Sequence, residues 1–108
     1  MAFKLQVRDV CVAKVKGEMP TESGSTERFD FTLTCSRVTG SQLVEETKDV
    51  TVTDFLRKKV TGWDGVLNEA GEPVPFSKAG LEQLLDVPGI PVLAYQAYLA
   101  SIGAKEKN

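Results

Sequence analysis

Apolar and polar residues alternate in two segments near the start of the chain, and this alternation limits the folds that the chain can adopt. In the first segment most odd positions are apolar: Phe3, Leu5, Val7, Cys11, Ala13 and Val15. In the second segment the odd positions are again apolar: Phe29, Phe31, Leu33 and Cys35. A period of two is typical of strands with one buried face. It predicts strands at about residues 3–16 and 27–37, paired as an antiparallel hairpin, with both cysteines on the buried side.

Two valines interrupt the polar side of the first predicted strand. Val10 and Val12 occupy even positions, where the neighbouring residues are otherwise mostly charged or polar. An apolar residue on the second face of a strand indicates that this face is also covered. We therefore expect the strand to be central or interfacial, with the second face covered either by another part of the fold or by another subunit.

The segment between the two strands is polar and rich in turn-forming residues. It reads GEMPTESGST over residues 17–26, with Met19 as its one large apolar residue. Such composition favours a flexible surface loop. The sequence leaves two interpretations open, a solvated hairpin connection and a segment that becomes ordered only against a partner.

The rest of the chain predicts four short helices. They lie at about residues 41–48, 52–61, 78–86 and 90–102, and the candidate N-caps of the first three are Ser41, Thr53 and Ser77. Pro91 suits the first turn of the last helix, and Gly103 suits its C-terminal cap, followed by a polar tail over residues 103–108.

Residues 62–76 contain several glycines and prolines, which exclude a long helix. We expect a turn-rich connection with a short two-stranded element around residues 68–72. Trp63 is expected to anchor this connection by packing on the stripe formed by Val52, Leu56 and Val60 of the preceding helix.

The last predicted helix is unusually apolar. Its stripe of large residues is extended on the other sides by further apolar residues, so the helix requires burial on more than one side. It is either a central core helix or a docking and self-association helix. In the second case the candidate protein-binding residues are Val92, Tyr95, Tyr98, Leu99 and Ile102.

Length and charge narrow the class of protein. The 108 residues fit one domain, 1–108, because two cores would each have about half that length. The expected fold class is α+β. A formal charge of −2 argues against binding to nucleic acid or to an anionic membrane. No segment approaches the length of a membrane span, so we expect a cytoplasmic protein whose partner is another protein.

Few catalytic arrangements are available to this chain. It contains no histidine, and Cys11 and Cys35 form no CxxC motif. These facts exclude Ser-His and Cys-His nucleophile pairs and the usual zinc ligand sets. No phosphate-binding glycine motif occurs either. We therefore predict no enzyme activity, cofactor or metal. A hydrolase that uses carboxylates is a weaker hypothesis.

The order of features in the second half of the chain resembles the tail assembly chaperones of long-tailed bacteriophages. The similarity extends more loosely to the strand pair. The residues that carry it are Trp63 with Gly65 and Val66, the acidic turn from Asn68 to Pro73, Pro75-Phe76-Ser77, Leu81 with Leu84-Leu85, Pro88-Gly89, Tyr95 and Tyr98, and the ending Lys107-Asn108.

This resemblance implies a non-enzymatic protein that binds the tape measure protein, the tail tube protein or both during tail assembly. Such a chaperone acts in the host cytoplasm and is absent from the mature virion. The alternative is a structural virion component, such as a tail-terminator or head-tail connector subunit. A virion component stays in purified particles, whereas a chaperone does not.

Overall fold

The two alternating segments form a long antiparallel hairpin in the computed structural model, which describes residues 2–5 and 8–103. Strand β1 spans Val10–Pro20, strand β2 spans Thr26–Ser36, and Cys11 lies opposite Cys35. Directly opposite residues share a face of the sheet. Both cysteines are buried free thiols. The predicted hairpin and the shared buried face of the cysteines are confirmed.

The hairpin is longer at its tip than the sequence indicated. Residues 17–20 belong to β1 and Thr26 belongs to β2, so the bounds predicted for the loop, residues 17–26, are wrong and the connection covers only residues 21–25. The connecting turn is short, with the N–H of Thr21 donating to the carbonyl of Ser25 at 2.7 Å. This segment is a strand despite its polar composition, because its backbone pairs with the opposite strand and backbone hydrogen bonds do not require apolar side chains.

The start of the hairpin also differs from the prediction. Residues 2–5 belong to no strand, although a strand was expected from residue 3. Alternation alone does not make a strand, because the backbone needs a neighbouring strand to complete its hydrogen bonds. The predictions for residues 6–7, and for all of the tail beyond Gly103, lie outside the described residues.

A third strand follows directly after the second helix. Strand β3 spans Val60–Asp64 and pairs antiparallel with β2, which places β2 in the centre of a three-stranded sheet. An irregularity in the register next to Cys35 lets both Val60 and Trp63 lie on the buried face. The prediction that this segment continues a helix to residue 61 is wrong, and so is a central position for β1, which is an edge strand.

Four helices complete an α+β fold. They are α1 at Gly40–Thr47, α2 at Val52–Lys59, α3 at Lys78–Leu85 and α4 at Ile90–Ile102. Helix α4 packs on β1, and the other three helices pack beside it. None of the helices in the described part of the chain is long and apolar enough to cross a membrane.

The caps of these helices agree with the sequence in part. Ser77 caps α3 and Gly103 is the C-cap of α4, as predicted. The N-caps of α1 and α2 are Thr39 and Thr51 rather than Ser41 and Thr53. Each hydroxyl accepts from the N–H three residues later, and Gln42 completes a capping box with Thr39, a stabilising arrangement that Ser41 lacks.

The core is centred on the contact between α4 and the hairpin. Tyr98 of α4 is fully buried, and its hydroxyl donates to the carbonyl of Ser36 at 2.8 Å. The ring of Phe55 lies edge-on to Tyr98, with centroids 5.4 Å apart. Near the other end of α4, a Cβ on Gly17 would lie 3.0 Å from Leu93 and 2.7 Å from Phe29. Glycine at this position therefore lets the helix approach the strand closely.

Removing the Tyr98 hydroxyl tests this contact. We expect Tyr98→Phe to lower the free energy of unfolding by about 1–3 kcal/mol, because it leaves the partly buried carbonyl of Ser36 without this donor. Tyr95→Phe is the matched control, since the Tyr95 hydroxyl makes no hydrogen bond within the described residues. Urea titrations measure both effects, and equal stabilities for the two variants would contradict the assignment.

The buried thiol of Cys35 makes stability depend on alkaline pH. Burial, together with the adjacent Cys11, raises its pKa from 9.0 to about 12. Between these values the unfolded chain releases the proton and the folded chain keeps it, so the free energy of unfolding falls as the pH rises. We expect Cys35→Ala and Cys35→Val to reduce this decline, as measured by denaturant titrations from about pH 8 to pH 11. A decline as steep as that of the wild type in both variants would disprove the assignment.

Candidate protein-binding surface

The five candidate binding residues of α4 lie mostly against the core. Tyr98 is fully buried, Tyr95 packs edge-on against Phe55 with centroids 5.7 Å apart, and Leu99 and Ile102 are half-buried. Val92 is exposed, at 56% of its full accessibility. The helix thus occupies the position of a central core helix. Its role in binding a partner stays a prediction, and Val92 is the candidate residue that is exposed for such binding.

A groove opens where the hairpin extends past the start of α4. Because Leu93 lies near Gly17 while Tyr98 bonds to Ser36, α4 runs away from the hairpin tip. The groove has a volume of about 580 Å³, within the usual range of ligand-binding clefts. Its apolar lining residues are Met19, Phe29, Phe31, Val66, Leu67, Leu84, Val87 and Ile90.

The hairpin supplies the floor of this groove. Phe29 and Phe31 occupy alternate positions of β2, so both rings lie on the helical side of the sheet, stacked with centroids 5.9 Å apart. Beside them, Gly65 adopts a φ of +87°, and a Cβ there would come within 3.3 Å of the Phe31 backbone. A glycine therefore lets the chain turn tightly against the floor and begin the adjacent wall.

The turn-rich segment forms that wall. Leu67 and Pro73 make an isolated bridge, and the Asn68 side chain accepts from the N–H groups of Ala70 and Glu72 between them. These contacts confirm the predicted two-stranded element around residues 68–72. Their hydrogen bonds are internal to the turn, so the turn holds its shape and presents Leu67 to solvent, 56% exposed.

Trp63 attaches this wall to the rest of the fold. Its indole N–H donates to the carbonyl of Val74 at 2.8 Å, and its ring lies edge-on to Phe76 with centroids 5.1 Å apart. Trp63 therefore holds the turn-rich segment through its contacts with Val74 and Phe76 of that segment. Its packing on the stripe of α2 stays a prediction.

Three charged residues of β2 are among the residues that line the groove: Glu27, Arg28 and Asp30. Arg28 and Asp30 occupy even positions of the strand, so their side chains point to the face opposite the helices, where Arg28 approaches Glu18 at 3.9 Å. Both side chains of this pair are well exposed, so it contributes little to stability. The groove thus has a mainly apolar lining with Glu27 on its hairpin side, an arrangement suited to binding an apolar polypeptide segment.

A cluster of ion pairs away from the groove links two helices. The Arg57 guanidinium on α2 contacts Asp54 and, at 3.0 Å, Glu82 of α3. Its hydrogen bonds lower the pKa of both carboxyl groups. Because all three side chains are well exposed, the cluster orients the helices but provides no desolvated group for chemistry. The described residues also contain no cluster of potential metal ligands.

Comparison with protein-family models, with curated proteins and with solved structures gave no match for this chain.

Substitution of Trp63 tests how the wall is held. We expect Trp63→Ala to lower the free energy of unfolding by about 3–5 kcal/mol through lost packing. Trp63→Phe should lower it by about 1 kcal/mol or more, because an aromatic ring remains but the donor to Val74 is lost. Hydrogen exchange should then show faster amide exchange in residues 65–76 and unchanged exchange in the paired part of the hairpin. Unchanged exchange in residues 65–76 would show that the wall does not depend on the indole.

Proposed function

We propose that this chain is a non-enzymatic tail assembly chaperone of a long-tailed bacteriophage. Its client is the tape measure protein, the tail tube protein or both. The proposal starts from the resemblance carried by the second half of the sequence. The structural observation that supports it is the apolar groove between the hairpin tip and the corner joining α3 to α4.

The groove is of a size that suits part of a polypeptide. About 580 Å³ accommodates a few apolar side chains, not a folded domain. An amphipathic segment that inserts its apolar face would remove both its own apolar surface and that of Phe29 and Leu84 from water. The Glu27 carboxylate on the hairpin side would favour a bound segment that carries a basic residue at that end.

A chaperone with this surface acts by shielding its client. An unassembled client exposes apolar segments that would otherwise associate with one another, and occupancy of the groove competes with that association. Shielding requires neither a cofactor nor a reaction. It also requires release, so we place the protein in the host cytoplasm during assembly and outside the mature virion.

A structural virion component, such as a tail-terminator or head-tail connector subunit, is the second candidate. It is favoured by the hairpin, whose strands are 11 residues each, and by the open edge of β1. The carbonyl of Asp9 accepts from the N–H of Arg37, and the N–H of Thr21 donates to the carbonyl of Ser25. The odd residues of β1 therefore point their backbone groups to β2, and the even residues point theirs to the open edge. Such edges can pair with neighbouring subunits in a ring.

Co-expression tests the chaperone proposal directly. The chain should co-purify with the tape measure or tail tube protein encoded beside it. We expect Leu67→Lys to weaken that binding about tenfold by placing a charge in the groove. Val44→Lys is the matched control, because Val44 is similarly exposed, at 68%, and lies on α1 outside the groove.

Three results would change the interpretation. The presence of the chain in purified particles, measured by mass spectrometry, would favour the structural component. Failure to bind either client would disprove the chaperone proposal. Client binding that is unchanged by Leu67→Lys would retain a chaperone but exclude the groove as its binding surface.

A further inference from the structure

The segment that precedes the hairpin carries two large apolar side chains in solvent. Phe3 and Leu5 are 85% and 91% exposed, more than any other large apolar side chain of the described residues. In an extended segment alternate residues project to the same side, so these two side chains form one apolar edge, with Lys4 between them. The alternation that predicted a strand from residue 3 therefore describes an apolar segment that has no partner in the described chain.

The floor of the groove has the same spacing as this segment. Phe29 and Phe31 are alternate residues of β2, about 7 Å apart along the strand. Phe3 and Leu5 are the same distance apart when their segment is extended. An extended segment laid along the floor would therefore place one apolar side chain against each ring, within a groove of about 580 Å³.

Charge favours the same pairing. Glu27 occupies an odd position of β2, as Phe29 does, so its carboxylate lies on the groove side of the strand. Residues 2–5 contain the cation Lys4 and no acidic residue. A basic residue beside two apolar side chains is thus complementary to an apolar lining that carries one carboxylate.

The segment cannot reach the groove of its own chain. The carbonyl of Asp9 bonds across the open end of the hairpin, far from the tip. Phe3 lies six residues before Asp9, so the chain between them spans at most about 22 Å. Gly17, which lies opposite Phe29, is eight residues beyond Asp9, or about 27 Å along the strand. Helix α4 also packs on the face of β1 that this path would cross.

We propose that the groove of one copy binds the N-terminal segment of a second copy, with residues 2–5 extended along the floor. Phe3 and Leu5 then lie against the stacked rings of the other copy, and Lys4 lies near its acidic side. Each copy has one such segment and one groove. Reciprocal exchange therefore closes a dimer that contains the same contact twice.

This exchange regulates access to the groove. A client and the segment of a second copy need the same apolar lining, so each lowers the apparent affinity of the other. The regulatory role rests on the proposed chaperone function, whereas the contact between copies does not. The contact is therefore tested on the purified chain alone. If the chain stays monomeric but binds its client, the chaperone proposal stands; if it dimerises but binds no client, the exchange stands.

Sedimentation of the purified chain over roughly 1 to 100 μM measures the contact. The wild type should convert from monomer to dimer across this range. Leu5→Lys and Leu67→Lys, which alter the segment and the groove, should each weaken the dimer tenfold or more. Val44→Lys, at an exposed valine outside both surfaces, should dimerise as the wild type does. All three positions are exposed, and circular dichroism checks that each variant keeps the fold.

Mixing the two variants tests the exchange itself. A Leu5→Lys copy keeps an intact groove and a Leu67→Lys copy keeps an intact segment, so the mixture should form a heterodimer with one of the two contacts. It should associate more tightly than either variant alone. A wild type that stays monomeric, or a Leu5→Lys or Leu67→Lys variant that dimerises as tightly as the wild type, overturns the proposal. A mixture that associates no better than its components also overturns it.

Discussion

The packing of α4 against the hairpin is the contact on which the other features of the structure depend. Tyr98 fixes one end of the helix to Ser36, and Gly17 lets the other end approach the strand. The helix is 13 residues long, or about 20 Å, whereas an 11-residue strand extends about 36 Å. One helix therefore cannot cover the whole hairpin, and the uncovered part becomes one side of the groove.

The sheet consequently has two surfaces of different character. On the helical side, the hairpin tip and the α3–α4 corner enclose a concave apolar groove, which suits a segment of another polypeptide. On the outer side, the exposed Val10 and Val12 lie among polar and charged residues of the sheet.

The shift of the candidate surface from α4 to the groove has a physical reason. An apolar helix on its own gives no indication of whether its several apolar sides face the core or a partner. In the fold, the hairpin covers one side of α4, and Phe55 of α2 contacts both tyrosines on another. The groove residues come from distant parts of the sequence, and no local pattern marks Met19, Val66 and Val87 as neighbours.

The sequence by itself determined the elements whose signals are local. Alternation identified the hairpin and the shared face of Cys11 and Cys35, and apolar spacing with caps located four helices to within about two residues. Tertiary structure decided the features that need a distant partner. Strand β3 exists because β2 offers an unpaired edge, residues 17–20 are extended because the opposite strand is, and α4 is a core helix because the hairpin covers it. Backbone pairing and burial depend on which segments meet, and a linear pattern does not contain that information.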